Sequence, residues 1–152
     1  IYRHSFVASY FVYDFKTKKT VALDDIIKQQ LPAFSPKGDK VAFVQNNNIF
    51  IKDLNDNSLK QITSDGSKNS IINGATDWVY EEEFEFAPAF FWNEDGNAIA
   101  YITPDGELYL TKDGTSRLLC APENEDIFYG TLEEASTHIR TNHRGEFTCI
   151  LE

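Results

Sequence analysis

The chain reads PAFSPKGDKVAFV over residues 32–44, a short strand, a turn and a longer apolar strand. Pro and Gly two residues apart are typical of a tight turn between neighbouring strands. The pattern returns as AFFWNEDGNAIAYI over residues 89–102. Two further strand patterns follow each copy, and Ile49 of the first copy corresponds to Leu108 of the second. The sequence therefore predicts a repeated unit of short antiparallel strands joined by turns.

Repeats of four strands and about 40 to 50 residues are the signature of β-propeller blades. We therefore expect an all-β fold, a partial β-propeller of four-stranded antiparallel sheets with a short helical insert. Its predicted parts are half a blade (1–31), a blade (32–63), an insert (64–88), a second blade (89–120) and the start of a further blade (121–152). Blades need neighbours to cover their faces. That need, together with Ile1 in place of Met, predicts a piece of a larger protein.

The composition of the chain limits the classes of ligand and macromolecule that it is expected to bind. The chain has 152 residues, enough for a hydrophobic core, and a net charge of -10. Such a charge argues against nucleic acid or an anionic membrane and is compatible with a cationic ligand. No Gly-rich phosphate loop is present, and His138 and His143 match no zinc motif, so no cofactor and no metal are expected. Cys120 and Cys149 permit at most one disulfide.

The predicted insert contains TDWVYEEEF over residues 76–84, three consecutive carboxylates between large aromatic side chains. Aromatic side chains favour burial, and burying a charge without a partner is costly. The stretch therefore predicts a cation, either in the protein or in a ligand. Asp77 can cap a helical turn that begins at Trp78, where adjacent Glu side chains diverge by only about 100° and can converge on one ammonium group. Composition alone leaves a solvated acidic face as the alternative.

Two stretches carry a resemblance to a known family. DWVYEEEF over residues 77–84 resembles the signature of the dipeptidyl peptidase IV family, and YRHSFVASY over residues 2–10 is similar to a second segment of that family. The resemblance extends to about residue 102. It implies that Glu82 and Glu83 bind the free amino terminus of a peptide substrate. It also implies that Arg3 fixes the substrate backbone and supports the glutamate pair.

The resemblance implies a serine exopeptidase that releases X-Pro or X-Ala dipeptides, with this chain recognising the substrate amino terminus. No Gly-x-Ser-x-Gly elbow occurs in the chain, so no catalytic residue is expected in it. The implied partners are the peptide, an α/β-hydrolase domain and the remaining blades, with a homodimer allowed, in the periplasm, outside the cell or on its surface. Two alternatives stay open: a non-catalytic propeller that binds peptides or proteins, and a scaffold in which the Glu run pairs with Arg3.

Overall fold

The computed structural model describes residues 6–68, 70–77, 81–82, 87–103 and 108–112, and the backbone alone of residues 115–120. The strands in these ranges are β1 (Phe11–Asp14), β2 (Lys19–Ala22), β3 (Gln30–Phe34), β4 (Lys40–Gln45), β5 (Asn48–Asp53), β6 (Leu59–Gln61), β7 (Phe90–Trp92), β8 (Ala98–Ile102), β9 (Leu108–Lys112) and β10 (Thr115–Cys120). They form a two-stranded sheet, β1-β2, and two four-stranded sheets, β3-β4-β5-β6 and β7-β8-β9-β10. We call the two larger ones the first and the second sheet. All pairings are antiparallel.

The repeat seen in the sequence is reproduced in the pairing of the strands. In the first sheet Phe43 pairs with Phe50, and in the second sheet Tyr101 pairs with Tyr109 at the corresponding position. Both pairs stack, with interplanar angles of 12° in each. The predicted fold class, antiparallel four-stranded sheets of the β-propeller type, is confirmed.

The first sheet begins and ends slightly earlier than the sequence predicts. β3 starts at Gln30, two residues before Pro32, and Gln30 pairs with Val44. The register of the pairing shifts between Gln30 and Ala33, so the strand includes Pro32. β6 ends at Gln61 rather than at residue 63. The cause is Thr63, whose Oγ1 accepts a hydrogen bond from the Ile49 N–H at 3.0 Å in place of a main-chain oxygen.

Both faces of β4 are buried, which explains its uninterrupted apolar sequence. Side chains alternate across a strand, so Ala42 and Val44 point to one face, and Val41 and Phe43 to the other. The first pair joins a core shared with the second sheet, together with Ile49, Phe90, Ile99 and Tyr101. The second pair packs with Leu23 against Tyr10 and Val12, on the side of the β1-β2 sheet. The first sheet therefore lies between its two neighbours, and each interface is hydrophobic.

Hydrogen bonds to the Asp24 carboxylate join the connection between β2 and β3 to the end of β4. One of its carboxylate oxygens accepts the backbone N–H groups of Ile26 and Ile27 at 2.7 and 3.2 Å. The other accepts a hydrogen bond from Gln45 Nε2 at 3.0 Å. These bonds, first among them the one from the Ile26 N–H, hold the pKa of Asp24 below its ordinary value, although burial acts in the opposite direction.

This arrangement predicts a loss of stability in acid. The pKa of Asp24 is lower in the folded chain than in the unfolded chain, where it is about 3.9. The ionised carboxylate therefore stabilises the fold at pH values above the unfolded pKa. This contribution is lost as the pH falls through the pKa of the folded chain. We expect Asp24→Asn to be less stable than the native chain at pH 7, and we expect this difference to be smaller at pH 3, measured by urea unfolding. A stability difference that stays constant between the two pH values would contradict the assignment.

Candidate functional site

The segments before and after the acidic stretch lie next to each other. Ala75 and Pro88 form an isolated antiparallel bridge. Beside it, the N–H and Oγ1 of Thr76 both donate to the carbonyl oxygen of Ala87, at 3.1 and 3.2 Å. We call these residues, Ala75, Thr76, Ala87 and Pro88, the neck. Hydrogen bonds join the two segments of the neck. The position of the acidic stretch between them therefore depends on the contacts that hold the neck on the sheets.

The structure describes two residues of helical conformation within the acidic stretch. The N–H of Glu81 donates to the carbonyl oxygen of Asp77 at 3.1 Å, and Glu81 and Glu82 have helical conformation. The carbonyl group of Asp77 thus accepts a bond from the residue four positions later, whereas the helical turn predicted to begin at Trp78 lies mostly outside the described residues and stays a prediction. The extent of the helical turn depends on neighbouring residues outside the described ranges.

Glu81 and Glu82 have different environments although they are adjacent. Glu81 is 1% exposed, whereas Glu82 is only partly buried. The difference follows from the rotation of about 100° between neighbouring helical residues. Both side chains, and that of Asp77, belong to residues with further interactions in the fold. The sequence left Glu81 either structural or solvent-facing, and its burial supports the structural role.

The structure describes one of the three predicted site residues, Glu82. Glu83 and Arg3 lie outside the described residues, so their convergence with Glu82 stays a prediction. Within the described ranges no group of three or more His, Cys, Asp or Glu side chains is placed to hold a metal ion. In the same ranges no helix is both long and apolar enough to span a membrane.

Sequence reasoning alone does not identify Asn48 as a residue that contacts the insert. Asn48 is the first residue of β5 and is 7% exposed, and its side chain contacts Thr63 and, in the insert, Gly66. The available signal was the run of amide side chains at residues 45–48, directly before a strand and close to a long insert. Amide groups both donate and accept hydrogen bonds, so such a run can hold a neighbouring segment.

Known proteins with similar sequences and folds share this architecture. Residues 1–107 match the family described as the dipeptidyl peptidase IV (DPP IV) N-terminal region. Two probable dipeptidyl-aminopeptidase B proteins, from Podospora anserina and Neurospora crassa, are 43% and 38% identical over 105 residues, which is 66% of this chain and 11% of each relative. The crystal structure of Porphyromonas gingivalis dipeptidyl peptidase 4 matches with a TM-score of 0.74 and 32% identity, over 83% of this chain and 23% of that one. The chain thus spans about a tenth of the length of these curated relatives.

Proposed function

The chain belongs to the dipeptidyl peptidase IV family, and from this premise we propose that it recognises the free amino terminus of a peptide substrate. The match over residues 1–107 confirms the resemblance, which the sequence predicted to extend to about residue 102. The proposed activity of the complete protein is that of a serine exopeptidase, which releases dipeptides with Pro or Ala in second position. This chain contributes substrate specificity, and bond cleavage takes place elsewhere in the protein.

The observation that carries the proposal is the partly exposed Glu82 on a helical turn beside the buried Glu81. A carboxylate at such a place retains access to a ligand while its backbone is fixed by the buried neighbour. Charge-assisted hydrogen bonds from an ammonium group to a carboxylate are short and about twice as strong as neutral ones. A second carboxylate, proposed to be Glu83, and the guanidinium of Arg3 complete the site in this interpretation. The amino terminus, once bound, determines how far the peptide enters and hence which bond is cleaved.

The remaining chemistry requires other parts of the polypeptide. Cleavage needs a serine nucleophile on a Gly-x-Ser-x-Gly elbow, with Asp and His to activate it, and this chain contains no such elbow. The proposed partners are therefore an α/β-hydrolase domain and further blades, in a protein that can form a homodimer. A location in the periplasm, outside the cell or at its surface agrees with an enzyme that acts on peptide termini.

We expect the purified chain by itself not to hydrolyse Gly-Pro or Ala-Pro chromogenic substrates, because it has no serine elbow. Turnover by the chain that survives removal of contaminating peptidases would contradict this expectation. The positive test uses the complete protein, with a substrate whose amine is free and the same substrate N-acetylated. Rapid cleavage of the free-amine form and poor cleavage of the acetylated form supports the proposal.

The second candidate function is a propeller that binds peptides or proteins without cleaving them. The absence of a nucleophile from this chain is compatible with it. The same substrates distinguish the two functions in the complete protein. Saturable binding of the free-amine peptide with no turnover at any pH favours the binding module, whereas turnover favours the peptidase.

A further inference from the structure

A cluster of hydrogen bonds fastens the beginning of the insert to the turn between β4 and β5. Asn48 Oδ1 accepts two of them, from Thr63 Oγ1 at 3.1 Å and from the Gly66 N–H at 2.9 Å. The Asn73 N–H donates to the Asn47 carbonyl oxygen at 3.0 Å. We call these five residues, Asn47, Asn48, Thr63, Gly66 and Asn73, the clamp. Asn48 accepts one bond from Thr63, directly before the insert, and one from Gly66 within it, and its own Nδ2 donates to the Asn46 carbonyl oxygen at 3.1 Å, so it joins the turn to the insert.

Two glycines show how closely the insert lies on the first sheet. A Cβ atom at Gly66 would fall inside contact distance of the Asn47 carbonyl oxygen, so no larger residue fits without moving the segment. At Gly74, where φ is +77°, a Cβ would lie 2.6 Å from Ile49 Cγ1 and 2.9 Å from Val44 Cγ2. The segment therefore cannot shift toward the sheet, and the clamp prevents it from moving away.

The clamp is continuous with the neck that carries the acidic stretch. Gly74 follows Asn73 directly, and its carbonyl oxygen accepts the Ala89 N–H at 3.1 Å on the other side of the neck. Ala89 in turn accepts a bond from the Ile102 N–H at 3.0 Å, at the end of β8. The neck is thus held on the first sheet through the clamp and on the second sheet through Ile102.

The strand itself does not require asparagine at position 48. Asn46 and Asn47 have positive φ values of 49° and 59°, a conformation that two-residue hairpin turns need and that Asn tolerates. Asn48 is already in β5, and the residue at its place in the repeat is Glu107. Turn geometry therefore explains Asn46 and Asn47. Asn48 has a bond to the turn, from its Nδ2 to the Asn46 carbonyl oxygen, and its Oδ1 in addition accepts the Gly66 N–H of the insert.

We propose that Asn48 is a positioning residue, which through the clamp and the neck holds the Glu82 turn at the place where it meets the substrate ammonium group. The inference rests on the proposed function. A carboxylate contributes to recognition only when it is held within a fraction of an ångström of its productive position. Loosening the clamp leaves Glu82 chemically intact but allows the neck to move on the first sheet.

The test compares variants of the complete protein on free-amine and N-acetylated substrates. Asn48→Ala removes the acceptor of two bonds, and Gly66→Ala displaces the same segment by a steric route. Each is expected to lower kcat/KM for the free-amine substrate by about tenfold or more, with part of the loss in kcat, and to leave the slow acetylated reaction unchanged. Asn48→Asp keeps an acceptor oxygen and is expected to restore most of the lost activity.

Asn93→Ala is the matched control. Asn93 Oδ1 also accepts two hydrogen bonds, from the N–H groups of Asn97 and Ala98 at 3.0 and 2.8 Å, but in the turn between β7 and β8. The turn between β7 and β8 corresponds in the repeat to the turn between β3 and β4. In the first sheet, that turn lies at the opposite end of β4 from the clamp. Asn93→Ala removes a comparable set of bonds and is expected to leave the preference for the free amine unchanged.

The outcomes separate the positioning role from the proposed function. If Glu82→Gln leaves the preference for the free amine intact, the proposed function itself is wrong. If Glu82→Gln abolishes the preference while Asn48→Ala behaves like Asn93→Ala, only the positioning role is wrong. Equal losses on both substrates for Asn48→Ala would show general destabilisation and would also overturn it. Should Asn48→Ala fail to fold, Gly66→Ala still provides the comparison with Asn93→Ala.

Discussion

Glu82→Gln is expected to lower kcat/KM of the complete protein for free-amine peptides by about thirtyfold or more. The change keeps the shape of the side chain and removes its charge. Loss of one partner from a desolvated charge pair typically costs about 2–5 kcal/mol, and a ratio of kcat/KM values converts directly into such a free energy. Because the ammonium group sets the position of the scissile bond, part of the loss should appear in kcat as well as in KM.

The discriminating measurement is a double cycle of enzyme and substrate. The native protein and Glu82→Gln are each assayed with the free-amine and the N-acetylated peptide. If Glu82 binds the ammonium group, the mutation should have little further effect on the acetylated peptide, which is already a poor substrate. Glu94→Gln, at an exposed position in the turn between β7 and β8, is the control and should change neither reaction. Equal losses on both peptides would mean that the Glu82 carboxylate is structural, as in a scaffold where the Glu run pairs with Arg3.

Phe43→Ala should have the largest effect on the stability of the fold. Phe43 is fully buried, stacks on Phe50 with ring centroids 6.0 Å apart, and packs with Val41 and Leu23. Its removal leaves a cavity at the interface between the first sheet and the β1-β2 side of the fold. Truncating a buried Phe to Ala costs about 3–5 kcal/mol, a large part of the 5–15 kcal/mol that holds a typical domain folded.

Denaturant unfolding of the chain measures this loss, and Phe34→Ala is its control. Phe34 lies in the same sheet but is 56% exposed, so its replacement should change the unfolding free energy by only about 0.5 kcal/mol. If Phe43→Ala leaves no folded chain, Phe43→Leu should give an intermediate loss. A cost for Phe43→Ala no greater than that of Phe34→Ala would show that this interface contributes little to stability.

The sequence by itself determined the repeated antiparallel sheets. Residues 32–44 and 89–102 each combine a Gly-containing turn with a strand that is apolar at successive positions, and both properties are local. Sheet order and register follow from them because short turns join neighbouring antiparallel strands.

Only the tertiary structure decided that Glu81 is more deeply buried than Glu82 and what holds the insert. Three identical residues, Glu81 to Glu83, offer no local signal that separates them, and the burial of Glu81 depends on the surface that the turn packs against. The distant partners of Asn48 are residues 63 and 66, which only the folded chain brings to the beginning of β5. A hydrogen bond between segments distant in sequence depends on the path of the chain between them. Because an amide side chain can both donate and accept hydrogen bonds, its presence in the sequence does not indicate which distant segment it contacts.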